Sequence, residues 1–252
     1  MVFLGVLCAL VVKNQFMMPA VAILVGGLAT RLHPLTQDVP KALLAVAGKP
    51  FIAHQLALLK RNEITQVVIC AGYLGEQIQE VVKDGAAFGL HAAYAFDGPQ
   101  LRGTGGALKN ALPQLSDPFW VLYGDSYLDV DFAPILAAYR AQRKPGLMTV
   151  FCNDGQWDAS NIEYRDHVII RYDKTQRTPA MRYIDYGLAL LSKACFDHFA
   201  QAERFDLAAV YQDVIQRGEM AGDEVTQRFY EIGSFQGLQE TEAYLRNYKN
   251  SE

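Results

Sequence analysis

The apolar and polar residues follow two different patterns along the chain. Up to about residue 146, short continuous apolar runs alternate with segments whose apolar residues recur every three or four positions. Continuous apolar runs are typical of strands buried on both faces, and the second spacing is typical of helices. The predicted strands are Ala20–Val25, Gln66–Ala71, His91–Phe96 and Phe119–Tyr123, and the predicted helices are Phe51–Arg61, Leu74–Val82, Gly106–Leu115 and Phe132–Arg143.

Beyond Gly146 the pattern becomes richer in strands. The predicted strands are Leu147–Cys152, Asn161–Tyr164, His167–Tyr172 and Tyr183–Leu191, and helices are predicted at Ala194–Gln201, Leu207–Arg217 and from about Phe235. Alternation of strand and helix in the first part implies right-handed βαβ units. We therefore expect one α/β domain with a doubly wound, mostly parallel sheet and a more β-rich second half.

Composition and charge exclude some classes of partner. Apolar residues make up 51% of the chain and charged residues 20%, which is ordinary for a globular protein. The net charge of −4 and the pI near 5.8 argue against a nucleic acid or an anionic membrane as the main partner. A phosphorylated substrate would need a local basic pocket and a metal. The four cysteines form no C-x-x-C pair, so a reducing cytoplasm is expected.

The first eighteen residues are predicted to be an extension that precedes the domain. Val2–Val12 is apolar but too short to span a membrane as a helix. Its first charge, Lys13, follows the apolar run, whereas a secretory signal has basic residues before it. We therefore assign residues 1–18 to an N-terminal extension and residues 19–252 to a single domain. The sequence leaves open whether the chain forms a homo-oligomer.

The loop after the first predicted strand carries the chemistry expected of a phosphate site. Ligands of open parallel sheets bind at the carboxyl ends of strands. Gly26 and Gly27 allow a sharp turn and close backbone approach to a ligand. Arg31 and Lys41 follow with two kinds of phosphate-binding cation. The loop is neither a P-loop nor the dinucleotide fingerprint.

The full loop resembles the signature loop of the sugar-phosphate nucleotidylyltransferase family. It reads Gly26-Gly27-x-x-Thr30-Arg31-Leu32-x-Pro34-Leu35-Thr36, followed by Pro40-Lys41 and Gly48-Lys49-Pro50. The family has glycine where this chain has Ala29. If that position requires a positive φ, alanine is strained there.

The resemblance implies a fold, an activity and a cofactor. The fold is the Rossmann-like nucleotide-diphospho-sugar transferase type, with residues 19–146 binding the nucleotide and residues 147–252 the sugar. The activity is transfer of a nucleoside monophosphate from NTP to a sugar 1-phosphate, which yields NDP-sugar and pyrophosphate. Mg²⁺ is the implied cofactor. No general base is required, because a phosphate monoester is already ionised at neutral pH.

The resemblance also implies nucleotide-binding residues. Gly103, Thr104, Gly105 and Gly106 resemble the second glycine loop of the family, which contacts base and ribose. A helix N-terminus capped by Thr104 is an equally compatible interpretation. In the implied mechanism Arg31 holds the β- and γ-phosphates and Lys41 bears on the α-phosphate, and both act in catalysis.

Two acids resemble the metal ligands of the family. Asp125 ends the apolar strand Phe119–Tyr123 after a glycine, at a strand end where a Mg²⁺ ligand would stand. Tyr230-Glu231-Ile232-Gly233-Ser234 resembles the Asp-Ile-Gly-Thr motif, with Glu231 in place of the aspartate. We expect both carboxylates to lie in one cleft and to share one ion.

The sugar-binding residues follow from the same resemblance. Lys174 resembles the lysine that binds substrate at a strand end, although it would equally serve as a solvated lysine in a turn. Gly187 resembles the glycine under the sugar ring, and Asn161 and Glu163 are candidates for holding sugar hydroxyls.

The substrate pair has several candidates. The two glycine loops and Ile184-Asp185-Tyr186-Gly187 look closest to the heptose-1-phosphate guanylyltransferase branch, which implies GTP and heptose 1-phosphate. Hexose or N-acetylmuramate 1-phosphate uridylyltransferases are alternatives. A non-catalytic nucleotide-sugar-binding or regulatory homologue is a third, favoured by Ala29 and Glu231. From the residues alone neither base nor sugar follows.

Overall fold

The computed structural model describes residues 17–249. The first half alternates strands and helices, as the apolar pattern predicts. Its elements are β1 (Val21–Leu24), β2 (Ala45–Val46), β3 (Lys49–Pro50), α1 (Phe51–Arg61), β4 (Gln66–Ala71), α2 (Gly75–Val82), β5 (His91–Phe96), α3 (Gly103–Ala111), β6 (Phe119–Tyr123), β7 (Ser126–Tyr127) and α4 (Phe132–Gln142).

The second half is richer in strands. Its elements are β8 (Gly146–Cys152), β9 (Ile162–Arg165), β10 (Val168–Tyr172), β11 (Tyr183–Leu191), a 3-10 helix at Lys193–Phe199, α5 (Leu207–Gln216), β12 (Met220–Glu224), β13 (Tyr230–Glu231) and α6 (Phe235–Lys249). The predicted helix at Ala194–Gln201 is therefore this 3-10 helix. Strand β12 was not predicted, because Gly222, Asp223 and Glu224 interrupt its apolar pattern.

Nine strands form one sheet in the order β5-β4-β1-β6-β11-β8-β12-β10-β9. Strands β5, β4, β1 and β6 are mutually parallel, which agrees with the predicted βαβ units. Strand β11 is antiparallel to β6 and to β8, and β10 is antiparallel to β9 and β12. The sheet is therefore mixed, and the prediction of a mostly parallel sheet is wrong for the second half. The reason is that its strands include direct hairpins, which need no crossover helix.

The sheet is covered on both faces, as its apolar strands predict. Val21 and Ile23 of β1 pack in one apolar cluster with α1, α2 and α4. Ala20 and Ala22 point the opposite way, into a second cluster with α3 and α5. Successive strand residues face opposite sides, so a strand that is apolar throughout serves two cores. The architecture is a three-layer α/β fold.

The N-terminal boundary is described only in part. Residues 1–16 of the predicted extension lie outside the described residues. Met17 is exposed, and Met18 packs partly against the first apolar cluster. Within residues 17–249, no helix combines the length and apolar character needed to cross a bilayer.

Candidate active site

A pocket of about 320 Å³ opens at the carboxyl ends of β1, β4, β5 and β6. This is the edge at which open sheets of parallel strands bind ligands. The pocket is lined by Leu24, Val25, Gly26, Gly27, Lys41, Ala42, Cys70, Asp97, Leu101, Gly103, Thr104, Ala107, Tyr123, Gly124, Asp125 and Lys174. Apolar residues therefore form its walls, and a few charged side chains reach into it.

The glycine turn after β1 has two different roles. A β-carbon on Gly26 would lie 3.0 Å from the backbone nitrogen of Gly72, so the ends of β1 and β4 pack in direct backbone contact. A β-carbon on Gly27 would meet nothing within 4 Å. Gly26 thus permits chain packing, whereas Gly27 lies open at the pocket wall.

Ala29 has a positive φ, the conformation in which alanine is strained. Its φ of 50° and ψ of 36° place it in the left-handed region, where a β-carbon costs about 1–2 kcal/mol. Thr36 donates its hydroxyl to the Ala29 carbonyl oxygen at 2.9 Å, which holds the turn closed. The signature threonine therefore stabilises the loop that presents Arg31.

Lys41 and Asp125 form an ion pair inside the pocket. The Lys41 Nζ lies 2.6 Å from Asp125 Oδ2, and both side chains are partly exposed. Asp125 follows Gly124, where a β-carbon would overlap the Leu24 carbonyl oxygen. The Gly-Asp sequence is thus explained by close packing of β6 on β1, which brings the carboxylate to the pocket floor.

Glu231 stands beside Asp125, as expected for two acids of one site. Strand β13 pairs with β7 so that Glu231 lies opposite Ser126, and the Ile232 amide donates to the Asp125 carbonyl at 2.9 Å. A β-carbon on Gly233 would lie 2.7 Å from Glu231 Oε2, 3.2 Å from Arg31 Nη2 and 3.4 Å from Asp125 Oδ2. Two carboxylates and a guanidinium thus border the space that Gly233 leaves free.

The two carboxylates fit a magnesium site completed by substrate. Mg²⁺ is usually held by one or two carboxylates, with substrate phosphates and water as the remaining ligands. No cluster of three or more His, Cys, Asp or Glu residues able to hold a metal occurs between residues 17 and 249. A site shared between protein carboxylates and substrate phosphate agrees with the positions of Asp125 and Glu231.

Glu231 is already bonded to the start of α6. Its Oε1 accepts from Ser234 Oγ at 2.6 Å, and its Oε2 accepts from the Gly233 amide. A β-carbon on Gly237 would overlap Oε1, so the glycine makes room for the longer acid. The extra methylene of Glu231 is thus accommodated by two glycines, Gly233 and Gly237.

The four residues of the second glycine loop have two different roles. Gly103 and Thr104 line the pocket. The amides of Gly105 and Gly106 both donate to the Phe205 carbonyl, at 3.0 and 3.2 Å, and β-carbons on these glycines would overlap residues 203–206. The geometry gives Gly105 and Gly106 a packing role, while their predicted nucleotide contact is untested.

The interpretation of Thr104 as a helix cap is wrong. Helix α3 begins at Gly103, three residues before the predicted Gly106, and its N-cap position is Arg102. Thr104 Oγ1 instead accepts from the Leu207 amide at 2.8 Å. Thr104 therefore joins the starts of α3 and α5.

Lys174 reaches the pocket from the second half of the chain. Its Nζ lies 5.9 Å from the ring centroids of both Tyr123 and Tyr172. It also lies 3.8 Å from Asp206 Oδ1 in an exposed ion pair, a type that adds little stability. The lysine is thus held over two aromatic faces while its charge stays accessible in the pocket.

The other predicted sugar residues lie on the antiparallel strands. The register of β11 against β6 places Tyr183–Gly187 beyond the carboxyl end of β6. Asn161 is buried and accepts from the Asp185 amide at 3.1 Å, and Gly187 has a φ of 94°. Glu163 is half-buried on β9. Asn161, Glu163 and Gly187 are outside the lining of the pocket described above.

Asp185 connects several elements of this region, although the sequence analysis used it only as part of the Ile184–Gly187 motif and assigned it no role. Its carboxylate accepts from the Tyr123 hydroxyl at 2.6 Å and from the Gly187 amide at 3.0 Å. Burial raises the pKa of Asp185, and Tyr123 and nearby Lys174 act in the opposite direction. The residue fixes the bulge that carries Gly187.

Asp97 is a second acid that the sequence did not single out. It follows β5, is 5% exposed, and lines the pocket. Its Oδ2 accepts from the Arg102 amide at 3.1 Å, while its Oδ1 is buried without a hydrogen-bond partner. Burial raises the pKa of Asp97, partly offset by Arg102. Its signal was available, because Asp97, like Asp125, comes at the end of a predicted strand.

Comparison with known proteins agrees with this geometry. A family model described as nucleotidyl transferase matches residues 20–161. The chain is 31% identical over 192 residues to a D-glycero-alpha-D-manno-heptose 1-phosphate guanylyltransferase of Campylobacter jejuni, covering 76% of this chain and 84% of that enzyme. It is 42% identical over 111 residues to an N-acetylmuramate alpha-1-phosphate uridylyltransferase of Neisseria meningitidis, covering 44% of this chain and 48% of that enzyme.

A solved structure supports the fold. HddC from Yersinia pseudotuberculosis matches with a TM-score of 0.75 at 20% identity, covering 90% of this chain and all of that one. The chain belongs to the nucleotidyl transferase family and is an enzyme of its sugar-1-phosphate nucleotidyltransferase class. The predicted family and enzyme class are confirmed.

Proposed function

We propose that this enzyme transfers GMP from GTP to a heptose 1-phosphate with Mg²⁺ as cofactor, releasing pyrophosphate. The observation that carries the nucleotidyl transfer is the meeting of Lys41, Asp125, Glu231 and Arg31 at one edge of the pocket. Residues 19–146 supply the nucleotide side of this site, and residues 147–252 supply the sugar side. A cytoplasmic location is part of the proposal.

Each charged group has a role set by its position. Lys41 neutralises the α-phosphate, and Arg31 binds the departing β- and γ-phosphates with its planar fork. Asp125 and Glu231 would hold Mg²⁺, which when bound neutralises phosphate charge. The protein mainly aligns the acceptor for in-line attack, because the sugar phosphate is already an ionised nucleophile.

Asp97 supports GTP as the nucleotide. Asp97 lines the pocket at the end of β5, and an ionised carboxylate only accepts hydrogen bonds. Guanine presents two neighbouring donors, N1–H and N2–H₂, which match a carboxylate. Uracil presents one N–H between two carbonyl oxygens, which would face the carboxylate unfavourably. A hydrogen bond to a charged group contributes about 1.5–3 kcal/mol, enough for a clear preference between bases.

The proposed acceptor sugar follows from the relatives and from the residues around Lys174. The Campylobacter jejuni relative, matched over most of its length, acts on a heptose 1-phosphate. Lys174 would bind the sugar phosphate, and Asn161, Glu163 and Gly187 would surround the sugar ring. Uridylyl transfer to N-acetylmuramate 1-phosphate or a hexose 1-phosphate is the second candidate, favoured by the higher local identity to the Neisseria meningitidis enzyme.

A matrix of substrates tests the proposal. Pyrophosphate release is measured for GTP, UTP, dTTP, ATP and CTP, each with heptose, mannose, glucose and N-acetylmuramate 1-phosphates. We expect the highest kcat/KM for GTP with heptose 1-phosphate. A maximum with UTP would support the second candidate. If the protein binds nucleotide but turns over none of the substrate pairs, it is a non-catalytic homologue. The joint presence of Arg31, Lys41 and Asp125 argues against that outcome.

A further inference from the structure

Both acids of the cation site are occupied by groups of the chain itself. Asp125 Oδ2 is paired with the Lys41 ammonium at 2.6 Å. Both oxygens of Glu231 accept hydrogen bonds, one from Ser234 Oγ and one from the Gly233 amide. A divalent cation that arrives alone must therefore compete with a full positive charge at Asp125 and with two donors at Glu231.

The groups that occupy the two acids differ in how easily they can be displaced. The donors at Glu231 belong to the tight turn before α6, where Ser234 Oγ also accepts from the Gly237 amide at 2.9 Å. Lys41 is different, because its charge sits at the end of a flexible side chain that lines the nucleotide pocket. A triphosphate in that pocket offers Lys41 several negative oxygens in place of one carboxylate.

We propose that Lys41 is a displaceable counter-ion that keeps free divalent cations off Asp125 until a nucleotide enters. The inference rests on the proposed function, because it assigns the nucleotide to this pocket. On nucleotide entry the Lys41 ammonium moves from Asp125 Oδ2 to a phosphate oxygen, and Asp125 becomes available to the cation carried by the triphosphate. The site thereby accepts the cation and nucleotide together.

Mn²⁺ binding without nucleotide tests this directly. Free Mn²⁺ is titrated by electron paramagnetic resonance against the wild-type protein, Lys41→Gln and Lys41→Ala. The matched control is Lys174→Gln, which removes the same charge from the same pocket without touching Asp125. The double variant Lys41→Gln with Asp125→Asn locates any site that is gained. Circular dichroism verifies the fold of each variant, and the two substitutions of Lys41 guard against failure of either one to fold.

The expected result is weak binding to wild-type protein and at least about tenfold tighter binding to both Lys41 variants. The control should stay within about twofold of wild type, and the double variant should lose the gain. Unchanged affinity in the Lys41 variants, an equal gain in Lys174→Gln, or a gain that survives Asp125→Asn would each overturn the inference. None of these readings needs turnover, so they are separate from the substrate matrix that tests the proposed function.

Discussion

The proposed nucleotide side and the proposed sugar side of this site are built in opposite ways. On the nucleotide side, short loops after parallel strands present charged groups that are paired with one another or unpaired, such as Lys41 with Asp125 and the buried Oδ1 of Asp97. On the sugar side, an antiparallel strand carries Asp185, whose carboxylate accepts hydrogen bonds from the Tyr123 hydroxyl and the Gly187 amide. We therefore expect Lys41 and Asp125 to exchange partners when a ligand binds, whereas Asp185 keeps the hydrogen bonds that it already has.

The largest effect is expected from removing the charge of Asp125, the proposed ligand of the cation. Asp125→Asn should retain the fold but reduce kcat by roughly two to three orders of magnitude, because the main anionic ligand of the cation is lost. Pyrophosphate release measures the effect. Asp131→Asn is the matched control, since asparagine also caps α4 and Asp131 is outside the pocket. Undiminished turnover in Asp125→Asn would contradict the cation role.

Substitutions of Glu231 test whether this acid binds the same cation as Asp125. Glu231→Ala should reduce kcat about tenfold to a hundredfold and raise the Mg²⁺ concentration needed for half-maximal rate. Glu231→Asp should retain activity or improve the use of Mg²⁺, since the shorter acid matches the family motif. Both expectations are checked by measuring the rate of each variant across a Mg²⁺ titration. Full metal-dependent activity in Glu231→Ala would assign the second ligand to water or another residue.

Substitution of Asp97 tests whether this carboxylate binds the guanine base. Asp97→Asn should lower kcat/KM for GTP by about tenfold to a hundredfold and narrow the preference over UTP, because asparagine presents both a donor and an acceptor. Burial raises the pKa of Asp97, so its charged form is disfavoured in the folded protein. The KM for GTP in the wild type should therefore rise as the pH falls through this pKa, and Asp97→Asn should lack that dependence.

The free energy of unfolding should also depend on pH through Asp97. A raised pKa in the folded state means that this group favours folding at low pH and that its contribution is lost as pH rises through the folded pKa. Denaturant unfolding of wild type and Asp97→Asn at several pH values should show this difference. Equal pH dependence in both proteins would contradict the burial of a titrating carboxyl.

The smallest expected effect concerns the loop that carries Arg31. Ala29→Gly should raise the free energy of unfolding by up to about 1 kcal/mol, because glycine removes the β-carbon strain but loses more chain entropy on folding. Turnover should be retained or increased. Ala47→Gly is the control, since Ala47 also has a positive φ of 46° but lies outside the loop that carries Arg31. Lower activity in Ala29→Gly but not in Ala47→Gly would show that the alanine is needed for the active conformation of the loop.

How far the sequence could predict the site differs between its two sides. Gly26, Lys41 and Asp125 lie at strand ends or in short loops, where local pattern and strand direction determine position. Glu231 was placed beside Asp125 only by resemblance, since its location depends on the pairing of β13 with β7.

The antiparallel part was harder to predict because register decides which residues meet. The bulge in β11 and the hydrogen bonds of Asp185 join residues far apart in the sequence, and no local pattern indicates them. The same limit explains why the sheet was expected to be mostly parallel. It also explains why the packing of Gly105 and Gly106 on residues 203–206 was not predicted.

The central claim is that a sugar phosphate oxygen attacks the α-phosphorus of GTP. The direct measurement uses heptose 1-phosphate labelled with ¹⁸O in its phosphate group, together with GTP, Mg²⁺ and the wild-type enzyme, and follows the label by mass spectrometry. The account predicts GDP-heptose that contains all of the label, and pyrophosphate that contains none. Label in pyrophosphate or inorganic phosphate, or release of pyrophosphate without GDP-heptose, would contradict it.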